Sequence, residues 1–451
     1  MSAAEAISSA GTGGRALPPP GLPRLIPAGA PLSLNDHVAR YGPVPFRDGG
    51  SRGARDLIAE VERAGLTGRG GAGFPTGRKM RTVAEHGRRG GPLRGQVGTV
   101  VVANGAESEP ASAKDRLLLT RAPHLVLDGI ALAAEAVGAT RSYLSVHDGQ
   151  DELALQLAAM VSERDRYDQN RVPVQVVAVR RGYVASQETA LISQLNGGAP
   201  KPTFVPPRPF KKGAHGRPTL VQNVETLAHL ALIARFGAGW FRALGAGAGA
   251  AAGSALVTLG GAVSRPGVYE IALGMPIGDL IRRSGGPSEP PQAILAGGYF
   301  GGWLPYGQAL GIPISDAALR AAGASLGPGV LILLPESACG LAETAWIAGY
   351  LAGQSAGQCG PCVNGLPALA DMMARLAFGR PDGRALGWAQ QLMTLVTRRG
   401  ACHLPDGTAA FAGSALRIFE DELRRHAAAG PCDRVRRRPV LPAPGHSWGP
   451  R

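Results

Sequence analysis

The sequence reads Gly68-Arg69-Gly70-Gly71-Ala72-Gly73-Phe74-Pro75-Thr76-Gly77-Arg78-Lys79 directly after a short amphipathic stretch, residues 56–65. Four glycines in six positions leave the backbone free to adopt positive φ and to lie against a ligand. Successive N–H groups in such a loop form an anion cradle, to which Arg69 and Lys79 add positive charge. An ordinary flexible turn has the same composition, and the chain contains 66 glycines. The run therefore predicts a phosphate-binding loop only in the company of other motifs.

The composition indicates a globular protein of several domains. The chain has 451 residues, 45 % of them hydrophobic, which is enough for about two to four domains. It contains no run of about eighteen apolar residues, so no membrane-spanning helix is expected. Five cysteines, an odd number, favour a reducing compartment over a disulfide framework. Because the first residues also lack a signal-peptide pattern, we expect a cytoplasmic protein.

The net charge is strongly positive, at +14. The excess is mostly arginine, scattered along the chain and concentrated at residues 434–438. Such a charge raises the question of nucleic-acid binding, but no nucleic-acid-binding motif accompanies it. We therefore expect a solvated basic surface that faces an acidic partner or an anionic substrate, and no nucleic acid.

Strand and helix patterns alternate through the first half of the chain. Residues 98–103, 141–146 and 173–179 have the composition of buried strands, and residues 125–137 are apolar at helical spacing. This alternation predicts an α/β sheet with ligands at the carboxyl ends of its strands. Asn104 stands at one such end.

Four further motifs follow the glycine run. They are Asn104-Gly-Ala-Glu107-Ser108-Glu109-Pro-Ala-Ser-Ala-Lys-Asp-Arg116, Tyr183-Val-Ala-Ser186-Gln187-Glu188-Thr-Ala-Leu191, Gly216-Arg-Pro-Thr-Leu-Val-Gln222-Asn223-Val-Glu-Thr226 and Ser355-Ala356-Gly-Gln-Cys359-Gly-Pro-Cys362-Val-Asn-Gly365. In this order the five motifs resemble those of the flavin-binding, NADH-oxidising subunit of respiratory complex I. The diaphorase subunits of soluble hydrogenases and formate dehydrogenases belong to the same family. The resemblance covers about residues 50–428.

The resemblance implies a Rossmann-like flavin-binding α/β domain, a β-grasp domain of the SLBB, ubiquitin-like type and a C-terminal helical bundle. The glycine- and alanine-rich residues 236–253 are typical of a linker. Four helical patterns predict the bundle: residues 341–354, 366–378, 385–397 and 411–426. The predicted segments are a disordered arm at 1–35, an FMN- and NADH-binding domain at 36–240, a β-grasp domain at 254–335, a helical iron–sulfur-type domain at 336–430 and a basic tail at 431–451.

The resemblance implies that FMN binds in the first domain. Its phosphate would meet the glycine run, the asparagines would hydrogen-bond the polar flavin edge or the ribityl chain, and residues of the Tyr183 motif would lie along the ring. The implied site consists of Gly68, Arg69, Gly70, Gly71, Lys79, Asn104, Glu107, Ser108, Tyr183, Ser186, Gln187, Gln222 and Asn223. The chain departs from the family at Ala106, where relatives carry an acidic residue, and at Ser186-Gln187, where they carry Gly-Glu. These changes alter the hydrogen bonds that tune a flavin.

The implied nicotinamide site is less complete. Phe74, Glu109 and Glu188 match the family, but two aromatic positions are occupied by Thr82 and Arg208. Aromatic stacking contributes about 0.5–1.5 kcal/mol per pair, so losing two contacts weakens dinucleotide binding by roughly ten- to a hundredfold. Arg208 has a planar guanidinium that can stack on a ring or meet a phosphate.

The cysteine motif departs most from the family. Relatives bind a [4Fe–4S] cluster through a Cys-x-x-Cys-x-x-Cys loop and a fourth cysteine some forty residues later. Here Cys359, Cys362 and Cys402 match three of these positions, and Ala356 stands at the first. A [4Fe–4S] cluster normally needs four thiolates. Three thiolates can hold a [3Fe–4S] form, or a four-iron form whose last site takes water or another side chain.

Several alternatives remain open for this loop. Ser355 and His403 are the neighbouring candidates for a fourth ligand. The three cysteines with His403 also make up a Cys₃His zinc set, and a vestigial loop with reduced thiols is the simplest alternative. Cys339 and Cys432 fall outside the pattern and are predicted to be structural or free thiols.

The sequence thus predicts a diaphorase-type NADH dehydrogenase, in which electrons pass from NADH through FMN to an iron–sulfur centre or an external acceptor. No side chain is expected to act as a nucleophile. The implied partners are other redox subunits, among them a [2Fe–2S] thioredoxin-like subunit. Two alternatives are a non-catalytic scaffold or docking paralogue and a ferredoxin-linked flavoprotein that has lost the NADH site.

Overall fold

The computed structural model describes residues 21–46, 51–89, 98–245 and 252–442. Residues 1–20 of the predicted arm, 246–251 of the predicted linker and 443–451 of the predicted tail lie outside this description.

The first domain is built around a four-stranded parallel sheet with strand order β3-β2-β1-β4. The predicted strands are present with bounds shifted by one or two residues, and the Rossmann-like fold class is confirmed. The elements are α1 (Leu34–Tyr41), α2 (Ser51–Ala64), α3 (Thr76–Arg89), β1 (Thr99–Asn104), α4 (Lys114–Arg121), α5 (Pro123–Val137), β2 (Ala139–His147), α6 (Asp151–Arg166), β3 (Val174–Val179), α7 (Glu188–Leu195), β4 (Thr219–Asn223) and α8 (Val224–Arg242).

The sheet changes direction at β1. The chain runs from β1 outward through β2 to β3, and β4 then adds to the opposite side of β1. In the parallel pair of β1 and β4, Asn104 lies opposite Asn223 at the carboxyl ends of both strands. Open α/β sheets bind ligands in the crevice outside such a switch point. The topology therefore makes these two asparagines candidate ligand-binding residues.

Helix α5 is the centre of the first core. All of its residues except Glu135 are buried, and a Cβ at Gly129 would lie 2.0 Å from the carbonyl oxygen of Leu227 in α8. The two helices pack this closely only because a glycine stands at the crossing. The same helix buries Asp128, whose carboxylate meets Arg164 at 2.6 Å, His37 at 2.8 Å and Arg235.

The second domain is a mixed five-stranded sheet with strand order β6-β5-β9-β7-β8, in which β5 and β9 are parallel. Its elements are β5 (Ser254–Gly261), β6 (Gly267–Ala272), α9 (Ile277–Arg283), β7 (Pro291–Ala296), β8 (Gly302–Pro305), α10 (Tyr306–Ala309), α11 (Asp316–Ala321) and β9 (Val330–Pro335). The predicted β-grasp domain is confirmed.

The third region is helical, as predicted, but the prediction of a single last helix is wrong. Residues 411–426 belong to two helices that meet at Phe419, whose ring would lie 2.4 Å from a Cβ on Gly340. The aromatic ring fills the space beside this glycine and the chain turns there. The elements are α12 (Gly340–Gly353), a π-helical turn (Pro361–Gly365), α13 (Leu366–Phe378), α14 (Ala385–Val396), α15 (Leu404–Ile418) and α16 (Glu420–Ala429).

The predicted arm is packed rather than loose in the part that the structure describes. Leu25 is fully buried, and the guanidinium of Arg24 lies 3.8 Å from the centre of the Trp240 ring. The backbone N–H groups of both residues donate to the carboxylate of Glu270 in β6. This stretch is anchored because a carboxylate of the next domain accepts its amides.

The predicted linker and tail are likewise partly ordered. Residues 236–242 continue helix α8, with a break at Gly237, where φ is 86°. In the tail, the backbone N–H groups of Val440 and Leu441 donate to the carboxylate of Glu343 at 2.8 and 3.0 Å. Both corrections arise from contacts with distant elements.

No single helix among the described residues is long and apolar enough to cross a membrane. The pair α4 and α5, bent by 96°, meets the criterion by length and composition alone.

We expect Asp128→Asn to destabilise the first domain severely. Although burial opposes ionisation, the guanidinium groups of Arg235 and Arg164 hold the pKa of Asp128 well below its ordinary value. Removing the charge leaves the side chains of Arg164 and Arg235 buried without the carboxylate that balances them, which costs about 3–5 kcal/mol. Urea unfolding followed by far-UV circular dichroism measures the loss.

The matched control is Asp371→Asn, which breaks an exposed ion pair with Arg375 and should change stability by about 0–1 kcal/mol. Equal losses in the two variants would show that the Asp128 network contributes nothing particular to the fold.

Candidate functional site

The glycine run forms a tight loop between α2 and α3. Thr67 pairs with Pro75 across its base, and the N–H of Gly68 donates to the carbonyl oxygen of Phe74 at 2.9 Å. The N–H of Arg69 donates to Oγ1 of Thr226 at 2.9 Å. Within the described ranges, no amide of residues 70–73 makes a hydrogen bond of ordinary length and angle to a protein acceptor. Those four N–H groups, rather than the first two of the run, are free to meet an anion.

Two glycines give the loop its shape. Gly71 has φ of 108° and Gly73 has φ of 64°, a region that L side chains rarely adopt. Gly70 lies against Asn223: a Cβ there would be 3.3 Å from the Cβ of Asn223. The loop therefore reaches the sheet switch point at close range.

The side chain of Arg69 faces the interior rather than the loop surface. One terminal nitrogen donates to Oγ1 of Thr67 at 3.0 Å and the other to the carbonyl oxygen of Ser254 at 3.2 Å. Its Nε lies 3.9 Å from the carboxylate of Glu225. Burial lowers the pKa of Arg69 against the opposing effect of Glu225. In this structure Arg69 attaches the loop to the first strand of the β-grasp domain.

A buried ionic network lies beneath the loop. The Nζ of Lys114 is 2.7 Å from Asp115 and 2.9 Å from Glu225. Burial opposes the charge on this lysine, but the carboxylates of Asp115, Glu225 and Glu107 raise the pKa of Lys114 above its ordinary value. The amide nitrogen of Asn223 donates to Asp115 at 2.6 Å. The network thus fixes the orientation of Asn223.

Asn104 and Gln222, the two other polar residues at the strand ends, differ in their hydrogen bonds. Asn104 donates through Nδ2 to the carbonyl oxygen of Ser186 at 2.9 Å. Gln222 is buried, and its Nε2 has no hydrogen-bond partner among the described residues. A buried donor without a partner is rare in a finished fold, so Gln222 marks a position where a ligand acceptor fits.

Several predicted site residues hold the backbone around the site. Gln187 caps α7 by accepting the N–H groups of Thr189 and Ala190, and Ser186 donates to the hydroxyl of Ser108 at 2.7 Å. Glu107 accepts the N–H of Lys114 at the start of α4. Burial and the nearby Asp115 raise the pKa of Glu107 to about 7. Sequence reasoning could not assign these capping contacts.

Glu109 and Tyr183 lie where the three structural regions meet. The Tyr183 hydroxyl and the backbone N–H of Tyr299 each donate to the same carboxylate oxygen of Glu109 at 2.8 Å. The Tyr183 ring packs against Phe300 and Tyr350. Burial raises the pKa of Glu109 to about 7. Both residues therefore join the first domain to the other two.

Of the residues implied for the dinucleotide, Glu109 is buried at the junction of the three regions, whereas Phe74 and Glu188 lie at the accessible side of the site. Lys79 pairs with Glu188 at 2.9 Å and also donates to the carbonyl oxygen of Val221 at 2.8 Å. Phe74 is 48 % exposed. Arg208 is exposed and Thr82 is partly exposed, so neither side chain is part of the buried core.

The predicted cluster cysteines come together. The thiol of Cys362 interacts with Cys402, Ser355 and Cys359. The hydrogen bond with Cys362 lowers the pKa of Cys402 to about 7. His403, the other neighbouring candidate, has an 89 % exposed side chain that lies 3.6 Å from Asp406. The Ser355 hydroxyl therefore lies beside the thiols, whereas the His403 ring faces solvent.

A second group of side chains of the types that bind metals escaped the sequence analysis. One ligand atom each from Cys339, Glu422, His426 and Cys432 lies within 4.8 Å of the others. Glutamate and histidine four residues apart share one face of a helix, and Cys432 follows shortly after. That spacing was the available signal, but Cys339 is too distant in sequence to be paired with it.

Three regions of the chain match known protein families. Residues 61–232 match the Nuo51 FMN-binding domain. Residues 256–299 match the SLBB domain, and residues 336–426 match the iron–sulfur binding region of NADH-ubiquinone oxidoreductase-F.

Relatives match most of the chain. One of the two NADH-quinone oxidoreductase F subunits of Rhizobium meliloti, the one numbered 2, is 29 % identical over 383 residues, covering 82 % of this chain and 88 % of the relative. The corresponding protein of Mycobacterium tuberculosis is 30 % identical over 397 residues, covering 84 % and 86 %. A crystal structure of NAD+-reducing [NiFe]-hydrogenase in the H2-reduced state aligns with a TM-score of 0.75 at 30 % identity. That alignment covers 87 % of this chain, which spans 66 % of the hydrogenase chain.

These observations define a class of protein in which a flavin-type α/β domain is followed by a β-grasp domain and a cysteine-bearing helical domain. The chain belongs to the family of NADH-quinone oxidoreductase F subunits. The predicted family and fold class are confirmed, and both the FMN-binding domain and the iron–sulfur binding region are present. The predicted roles of individual residues remain predictions.

We expect Glu109→Gln to flatten the pH dependence of stability. With its pKa raised to about 7, Glu109 keeps its proton in the folded chain after the unfolded chain has lost it. The wild-type free energy of unfolding should therefore fall as pH rises from about 4.5 to 7. A glutamine does not titrate, so the slope should become shallower by up to about 1.4 kcal/mol per pH unit.

Urea unfolding between pH 5 and 8 measures the slope. Glu420→Gln, which alters an exposed carboxylate paired with Arg424, is the control and should leave it unchanged. An unchanged slope in Glu109→Gln would mean that this carboxyl group titrates normally.

Proposed function

We propose that this chain is the NADH-oxidising flavoprotein of a multi-subunit redox complex, passing electrons from NADH through FMN to an iron–sulfur centre. The observation that carries the proposal is the set of free amides at residues 70–73, beside the paired Asn104 and Asn223. A phosphate-sized anion and a polar heterocycle need these two kinds of donor next to each other.

The residues present fit FMN. The amides of residues 70–73 would hold its phosphate, with the ammonium group of Lys79 adding charge, while Gln222, Asn104 and Asn223 would offer hydrogen bonds to its polar parts. When bound, FMN accepts a hydride as an electron pair and releases the electrons one at a time. The protein holds these binding side chains in place. Glu188 forms an ion pair with Lys79, and Asp115 accepts a hydrogen bond from Asn223.

The cysteine loop fits a cluster with three thiolate ligands. Cys359, Cys362 and Cys402 would bind it, and the Ser355 hydroxyl is the neighbouring fourth donor. Ala356 is buried beside them and cannot ligate. This donor set favours an iron–sulfur cluster in which one position has no cysteine ligand over an all-cysteine [4Fe–4S] cluster.

We also propose that other redox subunits, among them a [2Fe–2S] thioredoxin-like subunit, bind this chain. The sequence relatives are named as subunits of NADH-quinone oxidoreductase. Trp388 and Leu395, seven residues apart on α14, are both about half exposed and offer an apolar strip for such a contact. All five cysteines are free, which agrees with a cytoplasmic location.

A second candidate function is supported by the dinucleotide region. Because Thr82 and Arg208 replace aromatic residues, the chain could serve as a ferredoxin-linked flavoprotein or a docking subunit that does not oxidise NADH. A diaphorase assay with NADH and an artificial acceptor separates these alternatives, since only the first candidate gives turnover.

We expect Gly71→Ala to weaken FMN binding by roughly tenfold, because a side chain at φ of 108° strains the loop by about 1–2 kcal/mol. Gly68→Ala is the matched control in the same loop, since its Cβ would make only ordinary contacts. Fluorescence titration of the FMN-free chain with FMN measures both. Equal affinity in the two variants, or no FMN binding by the parent chain, would contradict the proposed cradle.

We expect the double substitution Thr82→Phe and Arg208→Phe to lower KM for NADH by roughly tenfold, because two stacking contacts are restored. The value of kcat should change little. The control is Thr394→Phe, at an exposed helical threonine whose hydroxyl bonds to the carbonyl four residues earlier, as that of Thr82 does. A KM that moves equally in control and double variant would remove these positions from the NADH site.

A further inference from the structure

The group formed by Cys339, Glu422, His426 and Cys432 lies on different elements from the cysteine loop. Cys339 precedes α12, Glu422 and His426 lie on α16, and Cys432 follows that helix. Their ligand atoms lie within 4.8 Å of one another. We propose that these four residues bind a single zinc ion.

The spacing suits one ion and not a cluster. Zinc binds thiolate sulfur at about 2.3 Å and nitrogen or oxygen at about 2.0–2.2 Å, so tetrahedral ligands stand roughly 3.3–3.8 Å apart. Small side-chain movements bring this group to that distance. An iron–sulfur cube holds its thiolates further apart, because iron and sulfide ions stand between them. Among the described residues no other group of three or more such side chains is this compact, the three loop cysteines included.

The donor types also select zinc. Two thiols, one imidazole and one carboxylate supply sulfur, nitrogen and oxygen, the ligands found in zinc sites. Magnesium and calcium require oxygen ligands throughout, and two of the four donors here are sulfur.

The histidine presents the correct nitrogen. Nδ1 of His426 lies 3.2 Å from the carbonyl oxygen of Leu376, and because a carbonyl only accepts, Nδ1 carries the proton. Nε2 presents its lone pair towards the group, where it accepts the N–H of Cys432 at 3.3 Å, a long hydrogen bond that a metal ion would replace. A backbone carbonyl on the far nitrogen is the usual support for a zinc-binding histidine.

The glutamate is incompletely satisfied without an ion. Glu422 is buried, and its Oε1 has no hydrogen-bond partner among the described residues. The other oxygen accepts the N–H of Gly340 at 3.3 Å and lies 3.8 Å from Arg434, and the thiol of Cys339 also interacts with this carboxylate. A buried carboxylate oxygen without a partner is costly, and a cation provides that partner.

Charge balance agrees with a dication. Two thiolates and a carboxylate carry three negative charges, and a zinc ion together with the guanidinium of Arg434 neutralises them. Four protein ligands leave no open position, so the ion is structural. It would fasten the segment after α16 to the start of α12, next to the point where Glu343 accepts the N–H groups of Val440 and Leu441.

The test is metal analysis of the full chain, purified anaerobically, by inductively coupled plasma mass spectrometry. We expect about one zinc per chain. Cys339→Ala with Cys432→Ala should lower zinc by roughly tenfold or more and leave iron unchanged. The matched pair Cys359→Ala with Cys362→Ala should remove iron and leave zinc. Zinc that is substoichiometric even after incubation with zinc salt would overturn the proposal, as would iron lost with the first pair or zinc lost with the second.

A second measurement tests the proposal if the chain with Cys339→Ala and Cys432→Ala does not fold. The Cys359→Ala, Cys362→Ala, Cys402→Ala chain is stripped of metal and titrated with cobalt(II), so that no thiolate signal can come from the three loop cysteines. We expect the intense visible bands of tetrahedral thiolate-bound cobalt, saturating at about one ion per chain and displaced by zinc. Glu422→Gln should weaken cobalt binding by roughly tenfold. Absence of these bands would overturn the proposal.

Discussion

The ion pair between Lys114 and Glu225 is the contact on which the rest of the site depends. Both residues are almost completely buried, and their charged groups lie 2.9 Å apart. Burial opposes ionisation of Glu225, but Lys114 lowers the pKa of this carboxyl group to about 2. The same carboxylate accepts the N–H of Leu256 at 2.9 Å. One charge therefore connects α4, the start of α8 and the first strand of the β-grasp domain.

This arrangement determines what the glycine loop can do. Arg69 is drawn inward by Ser254 and Glu225, and its own N–H is taken by Thr226. The loop is thus attached to the network by its first residues and open at its later ones. A buried ion pair contributes little net stability, yet losing one partner is severe. Its value here is geometric: it holds the free amides at the sheet switch point.

Local sequence signals predicted the fold well and the side-chain contacts poorly. The end of β1 at Asn104 and the strands β2 and β3 follow from hydrophobic periodicity, which is a property of neighbouring residues, and the β-grasp domain follows from the family resemblance. The packed arm depends on Glu270, and the break at Phe419 depends on Gly340. Each of those partners lies tens to hundreds of residues away in the sequence. Periodicity carries no information about such partners. For the same reason, the sequence could not predict that the side chain of Arg69 points into the interior.

The two cysteine sets illustrate the same distinction and explain the odd cysteine count. Cys359 and Cys362 stand three residues apart on one loop, so their chemistry is visible in the sequence. Cys339 and Glu422 meet only because α12 and α16 pack together, and no spacing rule joins them. All five cysteines are free, and the two sets account for every one of them. The odd number of thiols thus divides into a group of three beside Ser355 and a group of two beside Glu422 and His426.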